Sequence, residues 1–236
     1  MFVASSTMSL NREGLYFSTH GEYSAIEYYM LRISYIKVCC TLISMSGKSS
    51  GNLTGGHLNV ILGPMFSGKT SKLIQIYRRR CVANVPSCII NFHEDKRYDD
   101  RKLSTHDRTT VPCTWAEKLA TVCLLPANLS KYKVYFINEG QFFEDLYETV
   151  SELVQVHGKE VHVCGLDGDF RMKRFGQMLD LISIADRVEK LSAVCTVCTS
   201  DASFTKRLSS ETHQKVIGSS NYIPVCRRCH ALPPEN

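Results

Sequence analysis

The feature that most constrains the fold is the octapeptide GPMFSGKT at residues 63–70, which matches the phosphate-loop pattern G-x-x-x-x-G-K-[ST]. It follows an apolar run at residues 58–62, typical of a buried strand, and leads into residues 67–82, where apolar side chains recur at helical spacing. In this context backbone N–H groups can point at phosphate oxygens, the lysine adds a cation and the threonine hydroxyl can bind Mg²⁺. The motif therefore predicts a nucleotide phosphate site formed by Gly63, Pro64, Met65, Phe66, Ser67, Gly68, Lys69 and Thr70.

The rest of the pattern predicts an α/β fold. Strands that are apolar throughout and alternate with helices indicate a parallel sheet covered on both faces. The fold class we expect is a P-loop (RecA-like) sheet flanked by helices, with a small C-terminal zinc-containing lid unit. Further strands are predicted at residues 87–92, 133–138 and 161–166, with a candidate at 188–193. Helices are predicted at residues 116–123 and 142–157, and a loop at 93–112.

Two pairs of cysteines near the C-terminus predict a metal site. Cys195-x-x-Cys198 and Cys226-x-x-Cys229 can each present two thiolates from one tight turn, and two such turns close a tetrahedral Zn²⁺ site. Four thiolates leave no open coordination position, so the zinc would be structural. Four unligated thiols, a competing ligand at His230 and a zinc ribbon that binds nucleic acid are the alternatives.

The domain limits that we predict are 1–55 for a disordered extension, 56–193 for the nucleotide-binding unit and 194–236 for the zinc-bound lid unit. Residues 28–45 are apolar, but Arg32 and Lys37 interrupt them, so no membrane span is expected. A Gly/Ser-rich stretch begins at Met45, and our hypothesis is that the functional protein effectively starts there. The net charge of +5 is compatible with phosphate ligands and equally with scattered surface lysines. No cleavable signal peptide is recognisable, and the other cysteines are scattered, which favours a reducing compartment.

Several motifs together resemble thymidine kinases of the cellular and poxvirus type. Besides GPMFSGKT and the paired cysteines, they are THDR at residues 105–108, NEGQFF at 138–143 and LDGDF at 166–170. The resemblance runs in order from about residue 57 to residue 230. It implies transfer of the ATP γ-phosphate to the 5′-hydroxyl of thymidine. We expect deoxyuridine to be accepted also, because a pocket sized for the 5-methyl group rarely excludes its absence strongly. The resemblance further implies a cytoplasmic homotetramer that is feedback-inhibited by the end-product triphosphate and has neither nucleic-acid nor membrane partners.

The resemblance also assigns roles to residues. Glu139 corresponds to the general base, which would accept the proton of the attacking hydroxyl. The zinc would lie at the base of a loop that closes over thymidine. Residues expected near the nucleotide and Mg²⁺ are Asp95, Lys96, Arg97, Asn138, Gly140 and Gln141. Residues expected to bind the thymine base are Phe170, Gln214, Lys215, Val216, Ile217, Gly218 and Tyr222.

One residue departs from the family pattern. Members usually carry Asp immediately before the catalytic Glu, whereas this chain has Asn138. An amide can accept a hydrogen bond from a metal-bound water but contributes no charge, and such outer-shell changes cost about 10–100-fold in metal affinity or activity. We therefore expect an active kinase that requires a higher Mg²⁺ concentration. A catalytically silent nucleotide-binding relative and a zinc-ribbon nucleic-acid-binding protein are the competing hypotheses.

Overall fold

The computed structural model describes residues 8–11, 14–17, 55–95, 102–104, 109–216, 218 and 220–232. In chain order the strands are β1 (Met8–Asn11), β2 (Gly14–Phe17), β3 (His57–Leu62), β4 (Ser87–Phe92), β5 (Lys102–Ser104), β6 (Thr110–Pro112), β7 (Thr114–Ala116), β8 (Val134–Ile137), β9 (Glu160–Gly165), β10 (Arg187–Lys190), β11 (Ala193–Val194), β12 (Asp201–Ala202), β13 (Phe204–Arg207) and β14 (Tyr222–Val225). The α-helices are α1 (Lys69–Val82), α2 (Ala120–Cys123), α3 (Pro126–Lys131), α4 (Leu146–Ser151) and α5 (Arg227–Ala231).

The chain divides into two units at residues 52 and 53. In the first unit the described residues form an antiparallel pair, β1 with β2. The prediction of a disordered extension over residues 1–55, and the leader that was proposed from Met45, fall largely outside the described residues and stay predictions.

The second unit contains a six-stranded sheet in the order β10-β3-β9-β8-β4-β7. Every neighbouring pair in it is parallel, which confirms the predicted α/β class. Because the carboxyl ends of parallel strands meet at one edge of a sheet, the loops after β3, β4, β8 and β9 converge there.

Both faces of the sheet are buried, as the apolar strands predicted. On β3, Leu58 and Val60 pack into one cluster, together with Leu146 of α4. Ile61 points to the opposite face and packs with Leu73 of α1. The alternation along a strand thus places one apolar layer on each side.

The structure differs from the predicted elements at three places. Residues 114–116 are an edge strand, and helix α2 begins only at Ala120, where Asp145 accepts hydrogen bonds from the N–H groups of Leu119 (3.1 Å) and Ala120 (2.9 Å). The predicted helix 142–157 is divided into a 3₁₀ turn, α4 and a π-helical turn at residues 152–156. The predicted loop 93–112 contains the antiparallel pair β5–β6. The start of α2 depends on a distant partner, Asp145, rather than on local periodicity.

The C-terminal part forms two small antiparallel hairpins, β11–β12 and β13–β14. A separate apolar cluster lies between them and includes Ala193, Ala202 and Val225 with two of the cysteines. We call residues 208–221, which join β13 to β14, the lid loop. None of the described helices is long and apolar enough to span a membrane.

Candidate active site

The segment predicted to be a phosphate loop, residues 63–70, lies between β3 and α1 and extends into the first turn of that helix. Gly68, with a φ of 79°, turns the chain into the helix and lies in the left-handed region that glycine adopts without strain. Lys69 is buried, and its Nζ donates to the carbonyl oxygen of Pro64 at 2.6 Å. The lysine therefore lies against its own loop, at the N-terminus of α1, where the helix dipole favours an anion.

Thr70 is joined to Asn138 across this edge of the sheet. The Thr70 hydroxyl donates to Oδ1 of Asn138 at 3.1 Å, and the same oxygen accepts from the Cys164 thiol at 3.1 Å. Burial raises the pKa of Cys164 to about 12, so its sulfur keeps the proton that it donates. Both donors fix the Asn138 carbonyl toward the phosphate loop, in a geometry in which the Thr70 oxygen can still bind Mg²⁺ through its free lone pair.

The other side of the Asn138 amide continues the network into β4. Its Nδ2 donates to Oδ1 of Asn91 at 2.9 Å, and Asn91 Nδ2 lies 3.3 Å from the carboxylate of Asp95. All three residues are at least nine-tenths buried. The neighbouring amides and a carboxylate thus hold Asn138 in one orientation, and the negative charge closest to it in this chain of hydrogen bonds belongs to Asp95.

Glu139 directly follows Asn138 and has an unusual backbone. Its φ of 53° and ψ of 44° place it in the left-handed region, which costs a residue with a side chain about 1–3 kcal/mol and is concentrated at functional sites. Gln141 Nε2 donates to Oε2 of Glu139 at 2.6 Å, and Gln141 Oε1 accepts from the N–H of Leu166 at 2.9 Å. The carboxylate is therefore held by an amide that β9 fixes in turn.

Gly165 makes room for this arrangement. A Cβ on Gly165 would lie 2.5 Å from the Gln141 side-chain oxygen, so a larger residue would displace the amide that holds Glu139. The hydrogen bond from the Gln141 amide nitrogen to the Glu139 carboxylate therefore depends on glycine at position 165.

One open cleft of about 1060 Å³, solvent space included, joins these groups. The predicted site residues in its lining are Met65, Phe66, Ser67, Gly68, Lys69, Thr70, Asp95, Asn138, Glu139, Gln141, Phe170, Gln214, Val216, Gly218 and Tyr222.

The remaining predicted residues lie elsewhere or cannot be placed. Gly63, Pro64 and Gly140 do not line the cleft, and Lys215 turns its side chain toward Glu94, where its Nζ lies 2.6 Å from a carboxylate oxygen. Lys96, Arg97 and Ile217 are outside the described residues, as is the THDR motif.

Sequence reasoning gave no role to Asp169, which lines the same cleft as Phe170. Burial alone would raise its pKa. The N–H groups of Lys173 and Arg171 and the amide of Gln214 outweigh this and hold the pKa of Asp169 below its usual value. Gln214 Nε2 reaches Oδ2 of Asp169 at 2.8 Å, so the carboxylate connects the lid loop to the sheet.

Thr205 was also missed. Its hydroxyl oxygen accepts a hydrogen bond from the N–H of Met65 at 3.0 Å, which connects the phosphate loop to β13. Thr205 carries no pattern of its own in the sequence, but it lies ten residues after Cys195, inside the unit that the cysteines delimit.

The four predicted zinc ligands form a cluster. The sulfur atoms of Cys195, Cys198, Cys226 and Cys229 all lie within 4.8 Å of one another. A tetrahedral site with Zn–S distances of about 2.3 Å has sulfurs about 3.8 Å apart, and the Cys198 and Cys226 sulfurs are 3.6 Å apart. The cluster is therefore compatible with a structural zinc site.

The protein environment favours a thiolate at Cys198, whereas burial and the neighbouring cysteines raise the pKa of Cys229 to about 12. The hydroxyl and backbone N–H of Ser200 lower the pKa of Cys198 to about 6. The N–H of Cys229 points at the Cys226 sulfur at 3.5 Å, at the start of α5. Zinc binds thiolates rather than thiols, so these contacts suit the metal.

Comparisons with known proteins show which sequences this chain is similar to. The family model described as "Thymidine kinase" matches residues 56–230. The thymidine kinase of Vaccinia virus (strain Ankara) is 40% identical over 179 residues, which cover 75% of this chain and 98% of the viral protein. The corresponding proteins of Variola virus and Monkeypox virus are 41% and 39% identical over the same coverage. The matched segment includes both the phosphate loop and the four cysteines.

Proposed function

Because the chain belongs to the thymidine kinase family, we propose that it transfers the γ-phosphate of Mg-ATP to the 5′-hydroxyl of thymidine, with Glu139 as general base. The observation that carries the proposal is that Glu139 and the phosphate-loop residues Lys69 and Thr70 line the same cleft. A base and a phosphate cradle in one cleft are what phosphoryl transfer to an alcohol requires.

The nucleotide would bind with its phosphates against the N–H groups of residues 63–70. Lys69 would exchange its contact with the Pro64 carbonyl for the β- and γ-phosphates, a charge-assisted contact that is stronger than the neutral one. Mg²⁺, when bound, would neutralise charge on the phosphate oxygens, and Thr70 and Asn138 are the residues that fit it. Their 3.1 Å contact places the Thr70 hydroxyl beside the Asn138 side chain at the end of β8.

The acceptor would lie on the other side of Glu139, between Phe170 and Tyr222. Glu139 accepts the proton of the 5′-hydroxyl as that oxygen forms a bond to the γ-phosphorus. The bond from this phosphorus to the β-phosphate oxygen breaks, and ADP leaves with both electrons. Gln141 keeps the carboxylate directed at the acceptor during this step, and the hydrogen bond at 2.6 Å leaves one oxygen for the proton.

The pocket for the base would also accept deoxyuridine, because a pocket sized for a methyl group rejects its absence by only about 10–200-fold. The monophosphate product would supply DNA precursor synthesis by salvage. The homotetramer, the feedback inhibition and the cytoplasmic location stay predictions from the family, and the domain limits stay predictions from the sequence pattern.

The test is an assay of phosphate transfer from ATP to thymidine with two variants. Glu139→Gln keeps the shape and the contact with Gln141, and we expect it to lower kcat by about 10²–10⁴-fold. The matched control is Glu144→Gln, an exposed change outside the cleft, which should keep the wild-type rate. An undiminished rate in Glu139→Gln would show that another group acts as the base.

Asn138 favours one competing function, a nucleotide-binding relative without transfer activity. The missing carboxylate removes charge next to the expected metal position, although Thr70 and Glu139 are both present. Wild-type protein that binds ATP tightly but forms no thymidine monophosphate at any magnesium concentration would support this alternative.

A further inference from the structure

Arg207, the last residue of β13, carries a buried charge. It is 7% exposed, and among the described residues no carboxylate lies within salt-bridge distance of its guanidinium. A buried charge is costly unless hydrogen bonds replace its water shell. The hydrogen bonds that replace this water shell therefore indicate the structural role of Arg207.

All five N–H donors of the guanidinium are used. Nη1 donates to the carbonyl oxygens of Glu211 at 2.8 Å and His213 at 2.6 Å, and Nη2 donates to that of Gln214 at 3.1 Å. Nε and Nη2 both donate to the Tyr222 hydroxyl, at 3.2 and 2.6 Å. Three of the five bonds thus go to backbone carbonyls of the lid loop.

Tyr222 extends the same contact. Its hydroxyl accepts from the guanidinium and donates to the carbonyl oxygen of Val216 at 3.0 Å. Arg207 and Tyr222 are opposite each other in the β13–β14 register. Together the two side chains bind four carbonyls within residues 211–216, whose own side chains are mostly exposed.

The guanidinium also contacts the predicted base pocket. Its Cζ lies 3.8 Å from the centre of the Phe170 ring, within the range of a cation–π contact. Two residues earlier on β13, Thr205 accepts from the phosphate loop. Strand β13 therefore contacts the phosphate loop through the buried Thr205 side chain and the lid loop through the buried Arg207 side chain.

We propose that Arg207 is the positioning residue that holds the lid loop over the acceptor pocket and sets the face of Phe170 on which the thymine base stacks. The inference rests on the proposed function only for the identity of the acceptor. The claim that Arg207 orders the lid loop does not depend on the proposed function. Lysine cannot replace arginine here, because it has three donors on a flexible stem and no planar face.

The first measurement is hydrogen exchange of residues 208–216 in the substrate-free protein, for wild type, Arg207→Lys and Arg207→Met. We expect about tenfold or more faster exchange in both variants, because several charge-assisted hydrogen bonds are lost. Arg187, exposed on β10, provides the matched controls Arg187→Lys and Arg187→Met, which should exchange in the lid loop as wild type does.

The second measurement separates positioning from simple stabilisation. In Arg207→Lys we expect the KM for thymidine to rise about tenfold or more while the KM for ATP changes little. The reason is that the substitution lowers the fraction of protein molecules in which the lid loop is ordered for thymidine binding. If Arg207→Met does not fold, Arg207→Lys keeps the charge and carries both tests.

The outcomes are distinct. Wild-type exchange of the lid loop in Arg207→Lys would overturn the proposal, and so would equal rises in both KM values. A wild-type protein that phosphorylates no thymidine would contradict the proposed function, and the exchange measurement, which needs no substrate, would still decide the role of Arg207.

Discussion

The side-chain amide of Asn138 donates a hydrogen bond to Oδ1 of Asn91 at 2.9 Å, from the end of one central strand to its neighbour. Because the Asn91 amide is directed at Asp95 on its other side, both amides are fixed in orientation. Asn138 is thus part of a matched pair rather than an isolated substitution in an otherwise ordinary site.

Replacing Asn138 with Asp should change metal affinity and stability in opposite directions. The added charge should lower the magnesium concentration for half-maximal activity by about 10–100-fold. The new carboxylate would face the Asn91 oxygen, however, and the conflict should lower the free energy of unfolding by about 1–3 kcal/mol. A magnesium titration and urea unfolding measure the two effects. An unchanged titration would contradict the role that we assign to Asn138.

Replacing Gln141 with Glu should alter the pH dependence of the rate. Gln141 Nε2 lies 2.6 Å from the Glu139 carboxylate, so a second carboxylate there would raise the pKa of Glu139 by like-charge repulsion. Glu139 can accept a proton only when its carboxyl group is ionised. The acidic limb of the plot of kcat against pH should therefore move to higher pH. We expect a shift of about one pH unit or more. The variant Glu148→Gln, which alters an exposed carboxylate of α4, should leave the profile in place.

Removing zinc should raise the KM for thymidine more than the KM for ATP. Cys226 follows β14 directly, and β14 together with β13 holds both ends of the lid loop. If loss of the metal leaves the lid ordered one tenth of the time, the KM for thymidine rises about tenfold. Metal analysis with kinetics on Cys226→Ser tests this, with the exposed Cys81→Ser as control. Wild-type KM in a verified zinc-free protein would contradict it.

Asp169 should contribute stability that depends on pH. Because its pKa is held below the ordinary value, the contribution is present above the unfolded-state pKa of about 3.9 and is lost as the pH falls through the folded-state pKa. Asp169→Asn should therefore unfold at a lower temperature than wild type at pH 7, and the difference should narrow toward pH 3. Asp201→Asn, an exposed change on β12, should match wild type at both pH values. A difference that stays constant with pH would argue against this interpretation.

The sequence predicted those parts of the site that lie within a few residues of each other. The phosphate loop needs one strand, one turn and one helix, and each cysteine pair needs one turn, so residues 63–70 and the four cysteines could be recognised from spacing. Glu139 was recognised from the family motif that contains it. The helix limits near Ala120 could not be predicted, because the acceptor of its first N–H groups is Asp145, 25 residues away.

The sequence by itself determined the α/β class, the turn formed by residues 63–70 and the pairing of the four cysteines that cluster near the C-terminus, since each is encoded by local periodicity or by fixed spacing. Only the tertiary structure decided the partners of Asn138, the amide that holds Glu139 and the contacts of Arg207. These depend on which carboxyl ends of strands become neighbours in the sheet and on how β13 returns to the cleft. The Asn138–Asn91 hydrogen bond joins residues 47 positions apart and leaves no periodic trace in a single sequence. The shorter-range bonds of Glu139 and Arg207 depend on irregular backbone turns, which no periodicity encodes, so folding must bring the groups together before their chemistry can be identified.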